Sequence, residues 1–203
     1  SVPDWRVKIK VPTISSYRYS PILAPLAQTD WYAVFPVTPT INLVSSAAYE
    51  EMAPTHSNYP FPQYQNSQVE DLVITGDFFC ENAKEAQYWT AMVHYLRSAT
   101  KMNYGADANS GTPPPIVKLT GYGDFVFPNV PVLIRNFTVD LPADVDYIAC
   151  GLTDEEKGST SWAPTNSQIS ITLKPTFSRR RTSEFNLQNF VNGDYIGGNE
   201  GFI

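Results

Sequence analysis

The sequence predicts a mainly β fold of the α+β kind, with one helix laid on antiparallel strands. Three observations predict it. A single stretch carries sustained helical periodicity, whereas the runs around it alternate in and out as strands do. Aromatic residues reach 13% of the chain, which suits strands better than bundles. Seventeen prolines among 203 residues exceed the usual ~5%, and most lie beside strand-like runs, so edges, bulges and long loops are expected.

In chain order, residues 5–11 (WRVKIKV) alternate cleanly, with Val7, Ile9 and Val11 on one face and Arg6, Lys8 and Lys10 on the other. Residues 12–30 are rich in proline and serine and read as a wandering connection. Residues 31–44 are strand-like, but Pro36 and Pro39 exclude one regular central strand over the whole run. Residues 45–68 read as a long polar loop carrying Tyr49, Tyr59, Phe61 and Tyr64, and a loop of that length inside a compact domain is unusual unless it has work to do. Residues 69–79 return to strand character and lead into the helix.

The helix is expected from about Ala83 to Met102. Trp89, Met92, Val93, Leu96 and Ala99 form one apolar stripe. Asn82 is the N-cap, Glu85 completes a capping box, and Arg97 and Lys101 sit where the helix dipole favours cations, with Gly105 beyond as a stop signal. Residues 103–115 (NYGADANSGTPPP) can only be a loop with a stiff proline end. Strands follow at 116–121, 125–127 and 131–141, the first pair joined by a hairpin signal at Gly121-Tyr122-Gly123-Asp124. An acidic loop is expected over 142–166, and a strand over 167–177 with Ile169, Ile171 and Leu173 on one face. The tail from 178 to 203 has too much glycine and asparagine for a core element. Its aromatic residues still need a place to bury, as they would on a neighbouring molecule. The whole is read as one domain, 1–203, with an assembly loop at 45–68 and a C-terminal arm at 178–203.

The net charge of −6 is unevenly spread. Residues 1–20 hold Arg6, Lys8, Lys10 and Arg18 against Asp4, whereas residues 21–178 hold sixteen acids and seven bases. An acidic body argues against wrapping nucleic acid, which needs Lys and Arg at phosphates. Charged residues make up only 17%, below the usual ~25%, which favours a subunit that buries much of itself against neighbours. Cys80 and Cys150 lack metal-type spacing and read as two buried free thiols in a reducing compartment, with a disulfide as the alternative. No apolar span long enough to cross a membrane is visible.

Sites of chemistry are weak. His56 and His94 stand beside no serine, cysteine or carboxylate in a catalytic motif, so no catalytic residue is assigned. Asp140, Asp144, Asp146 and Asp154 lack the ligand alternation and glycine of a calcium loop, so neither metal nor cofactor is assigned. Gly121-Tyr122-Gly123 lacks the rest of a phosphate loop. Arg179, Arg180 and Arg181 read as partners for acids on an adjacent subunit as readily as for phosphate.

Four long phrases occur in fixed order: THSNYPFPQYQNSQV at 55–69, YWTAMVHYLRSATKMNYG at 88–105, GTPPPIVKLTGYGDFVFPNVPVLIRNFTVDLPADVDY at 111–147 and ISITLKPTFSR at 169–179. Over most of residues 31–179 the chain resembles the tube-type baseplate proteins of contractile-tailed, T-even-like phages, which join the inner tail tube to the baseplate. The resemblance implies two packed antiparallel sheets flanked by one helix, a tail-tube-like β-sandwich whose sheets combine between subunits into a continuous inner barrel. It also implies a virion protein without enzymatic activity, assembled in the host cytoplasm as a six-fold ring that caps the hub and initiates the tail tube. The tail tube subunit of the same fold is the near alternative. Partners would be further copies of the chain, neighbouring ring proteins and the tube subunit, with DNA only in transit and no membrane contact. Assembly anchors are then expected at Tyr49, Tyr59, Phe61, Tyr64, Arg179, Arg180, Arg181, Phe185 and Phe190. An acidic channel wall, which would avoid adhesion to DNA, is expected from Glu50, Glu51, Glu70, Asp71, Asp77, Asp124, Asp140 and Asp144. The competing readings from other classes are a carbohydrate-binding β-sandwich and a hydrolase using His56 and His94.

Overall fold

The structure, a computed structural model, describes residues 4–12, 15–43, 45–52, 61–69, 71–101, 115–123, 125–151, 160–176 and 187–192. Its elements in chain order are strand β1 (Lys8–Lys10), a short helix α1 (Ser15–Arg18), a 3-10 helix (Ala24–Thr29), β2 (Tyr32–Val34), β3 (Thr40–Asn42), β4 (Ser45–Met52), β5 (Phe61–Val69) and β6 (Leu72–Phe79). Helix α2 (Ala83–Ala99) follows, then β7 (Ile116–Gly121), β8 (Phe127–Val139), β9 (Tyr147–Gly151), β10 (Thr160–Pro164), β11 (Asn166–Pro175) and helix α3 (Leu187–Asn192). The fold is mainly β with one long helix, and every strand pairing is antiparallel.

Seven strands form one sheet in the order β2-β1-β7-β8-β11-β6-β3; β9 with β10 and β4 with β5 form two-stranded sheets. The period-2 pattern decides which face is inside. Ile9, Val117, Leu119, Leu72, Ile74, Ile169, Ile171 and Leu173 are all buried on the inner face. In β8, Val130, Val132 and Ile134 point inward until the register slips opposite Thr172 and Leu173, which leaves Arg135 as the extra residue and returns Phe137 to the inner face opposite Ile171. Leu133 pairs with Ile116 on the opposite face, and Ile116 is exposed.

The sheet is rolled. Five residues join β2 to β3, which stand at its two edges. Six strand spacings of ~4.8 Å would separate those edges by about 29 Å in a flat sheet, whereas a link of this length reaches ~21 Å at most. The two ends of the link, Phe35 and Pro39, are buried, while Pro36, Val37 and Thr38 between them are exposed. Phe35 donates its N–H to the Val7 carbonyl at 3.0 Å, its ring lies 5.6 Å from that of Phe78, and the Tyr122 hydroxyl donates to the Pro39 carbonyl at 3.3 Å. Beside Phe35, β6 has Gly76, where a Cβ would come within 2.5 Å of the ring. β2 and β3 do not pair with each other, so the described strands do not close a hydrogen-bonded barrel.

Helix α2 fills the wide side of the roll. Asn82 caps it, its Oδ1 accepting from the Glu85 N–H at 3.0 Å, while Glu85 Oε2 accepts from the Glu81 N–H at 2.6 Å. The helix ends at Ala99, earlier than Met102, with the Thr100 N–H donating to the Leu96 carbonyl at 3.2 Å. It lies between the large sheet and the β9–β10 pair. The Trp89 indole donates to Ser167 Oγ on β11 at 2.9 Å, and on another side the Gln87 amide donates to the Gly151 carbonyl on β9 at 2.8 Å.

Four sequence expectations are corrected. The 45–68 segment, expected as a loop, is a β-ribbon over Ser45–Met52 and Phe61–Val69. The 142–166 segment, also expected as a loop, contains β9 and β10. Both were hidden because small and polar residues populate both faces, leaving no alternation to read. The strands expected at 125–127 and 131–141 are one strand, β8 (Phe127–Val139), preceded by a turn at Phe125 and Val126; it absorbs Pro128 and Asn129 where the pairing with β7 shifts and Asn129 takes a positive φ of 51°. The connection 12–30 holds α1 and a 3-10 helix whose end is wrapped by Asp30 and Trp31. Both residues are left-handed, and their N–H groups return to the Ala27 and Leu26 carbonyls.

Candidate assembly surfaces

The β4–β5 ribbon grows directly out of β3 and β6. Asn42 pairs with Val73, and after a break in the ladder Ser45 pairs with Val69. The ladder then runs from there to Met52 opposite Phe61, with one bulge between Ala48 and Tyr49. Eight to nine residues at ~3.4 Å each make a ribbon about 27–30 Å long. Its strands pair with one another and with no other strand among the described residues. A lone two-stranded hairpin is marginal in water, and neither outer edge of this one has a strand partner among the described residues.

The expected anchors distribute as follows. Tyr49 lies on β4, Phe61 and Tyr64 on β5, and the register sets Tyr49 opposite Tyr64. Phe190 lies on α3. Tyr59, Arg179, Arg180, Arg181 and Phe185 fall outside the described residues, as do Glu70 and Asp124 among the acids expected at a channel. Glu50 and Glu51 are on β4. Asp77 projects from the open face of β6, and Asp71 at its start forms an ion pair with Arg135 across β11. Asp140 donates its N–H to the Gln168 carbonyl, and Gln168 pairs with Asp77, so Asp77 and Asp140 stand at one end of the sheet. Asp144 is exposed in the following loop.

A groove of about 410 Å³ runs between α2 and β10, lined among others by Val93, His94, Arg97, Leu141, Tyr147 and Trp162. Leu141 and Trp162 are each 61% exposed, large apolar groups left at a rim. Burial, and then the Arg97 charge, lower the His94 pKa, so its imidazole is neutral at pH 7. The groove that His94 lines also holds the hydroxyls of Thr90 and Ser161 but no carboxylate. His56 lies outside the described residues. Among the described residues, no three His, Cys, Asp or Glu side chains gather as metal ligands.

Sequence reading missed two tyrosines on α2. Tyr88 fastens edge strand β2 to the helix: its hydroxyl donates to the Tyr32 carbonyl at 3.1 Å and accepts from the Val34 N–H at 3.0 Å. Tyr95 is fully buried, its ring edge-on to Tyr17 at 6.0 Å. Tyr88, Met92, Tyr95 and Ala99 recur at four, seven and eleven residues, a second stripe beside the first that could have been read from the sequence. No protein-family model matches the chain, and no curated protein matches it.

Proposed function

We propose that the chain is a structural, non-enzymatic subunit that assembles with copies of itself into a six-fold ring at the junction of a phage baseplate and its tail tube. The reading follows from the tube-protein resemblance and is carried by one observation, the β4–β5 ribbon. A ribbon about 27–30 Å long that has no further strand partner among the described residues is suited to a neighbour that covers it, and strand edges recruit strands. In the ring it reaches the adjacent subunit or the next ring, as the assembly role expected for 45–68 requires. The contact is head-to-tail, the type that closes into rings when the rotation allows. Neighbouring ring proteins and the tube subunit are the further partners of this reading, and the virion its location.

Electron microscopy of the purified chain tests it. Six-fold rings are expected, and replacing residues 45–69 by a two-residue Asn-Gly turn should leave a folded monomer that forms none. A monomer at every concentration, or rings that persist without the ribbon, would overturn the proposal. The groove beside Trp162 favours a second reading, a carbohydrate-binding module. A sugar-dependent change in tryptophan fluorescence, abolished by Trp162→Ala in a monomeric protein, would favour that reading over the ring.

A further inference from the structure

Two apolar surfaces of this chain remain uncovered among the described residues. One is the groove of about 410 Å³ between α2 and β10, whose rim carries Leu141 and Trp162, each 61% exposed. Its walls are fixed. Trp162 sits in the β9–β10 ladder opposite Ala149, and the Gln87 amide of α2 donates to the Gly151 carbonyl of β9. The Tyr147 hydroxyl donates to the Pro142 carbonyl at 2.7 Å, which closes the loop after Leu141. Arg97 is the charged side chain that lines the groove, and it is in no ion pair among the described residues. Asp140, Asp144 and Asp146 nearby are exposed to solvent and do not line it. The second surface is α3. Leu187 and Val191 stand one turn apart on one face of it and are 67% and 72% exposed. A helix of six residues does not hold itself in water, so α3 depends on packing against another surface.

We propose that α3 of one copy docks in the α2–β10 groove of a second copy, with Leu187 and Val191 seated against Trp162 and Leu141. This is helix-in-groove recognition, in which apolar anchors one turn apart enter a hydrophobic cleft. Charge favours this occupant: residues 182–203 carry Glu184, Asp194 and Glu200 and no lysine or arginine, and the groove offers Arg97 without a competing carboxylate. Leu187 and Val191 of the same chain do not line the groove. An apolar patch and a fitting pocket at different places on one molecule make a heterologous, head-to-tail contact between copies. The contact is too small to hold two subunits alone, so it secures an interface that the β4–β5 ribbon also supports. The inference rests on the assembly reading for its second copy and names where one subunit holds the next.

The test is covalent trapping in the full chain. A size-tagged Val191→Cys chain is co-expressed with an untagged Leu141→Cys chain and treated with a short bismaleimide; both positions are exposed, and Cys80 and Cys150 are buried. A tagged–untagged product is expected. Leu187→Asp in the tagged chain, or Trp162→Ala in the untagged one, should each lower its yield about tenfold, as loss of an interface anchor does. Arg97→Glu in the untagged chain should lower it by a smaller factor. Phe125→Cys in place of Leu141→Cys, also at an exposed position, should give little product. Equal yield with Phe125→Cys, or an intrachain link in the Val191→Cys/Leu141→Cys double variant, would overturn the proposal. So would absence of the product, which leaves the groove to a ligand such as a sugar. Electron microscopy of the same samples separates the two readings: six-fold rings without the product sink this contact alone, and the product without such rings sinks the ring alone.

Discussion

At the scale of single residues, packing at the narrow end of the roll is the tightest constraint. The link that turns β2 into β3 has room only because position 76 has no side chain: a Cβ there would meet the Phe35 ring at 2.5 Å and the Pro39 Cβ at 3.1 Å. Phe35 cannot swing away, because it is buried and stacked edge-on against Phe78. Gly76→Ala should therefore cost about 1–3 kcal/mol through overpacking. Gly151→Ala, which would meet open space, should change stability by no more than about 0.5 kcal/mol. Urea denaturation of both variants checks this, and equal midpoints would mean that Phe35 does not close the roll. Gly76 reads in the sequence as an interruption of a strand, but the ring that requires it lies forty residues away and could not be named.

At the scale of elements, α2 was the most legible part of the chain, because cap, stripe and last-turn cations agree along one short stretch. Trp89, Met92, Val93 and Leu96 are buried as the stripe requires, and Ile171 and Phe137 face the same core. Leu133, four residues before Phe137 on β8, lies instead on the open face, because the sense of alternation along β8 is set by its pairing with β7 and β11. Leu96 is fully buried between elements distant in sequence, so Leu96→Ala should cost about 2–5 kcal/mol, measured by equilibrium unfolding. A loss below about 1 kcal/mol would mean that the helix does not hold the roll open. The β4–β5 and β9–β10 strands were illegible for the opposite reason. Their residues show no period-2 hydrophobic alternation in the sequence, and only backbone pairing defines them.

At the scale of the whole molecule, the core joins β6, α2 and β9, and the two cysteines report on that junction. Cys80 follows β6 and Cys150 lies on β9, and both are buried and free, as the reading of two unpaired thiols requires. Burial above all, and then the charges of Glu85 and Cys150, push the Cys80 thiol from 9.0 to about 11. A raised thiol pKa favours the neutral form in the folded state. Its stabilisation is full below pH 9 and is lost as pH rises towards 11. Near pH 8 both thiols should resist a disulfide reagent in the native protein and react together once guanidinium unfolds it. Rapid reaction of either thiol in the folded chain would show that the β9–β10 pair opens separately from the sheet.

The sequence by itself determined the fold class, the helix with its cap and apolar stripe, the inner faces of β1 and β11, and the burial of the cysteines. Each follows from local periodicity or from the chemistry of one residue type. Only the tertiary structure decided that the sheet rolls, that the 45–68 segment forms a ribbon with no further strand partner among the described residues, and that the lysines of an acidic chain share one open face. These depend on strand order and register, which bring Lys10 opposite Lys118 and Phe35 against Gly76 across separations that no local pattern encodes.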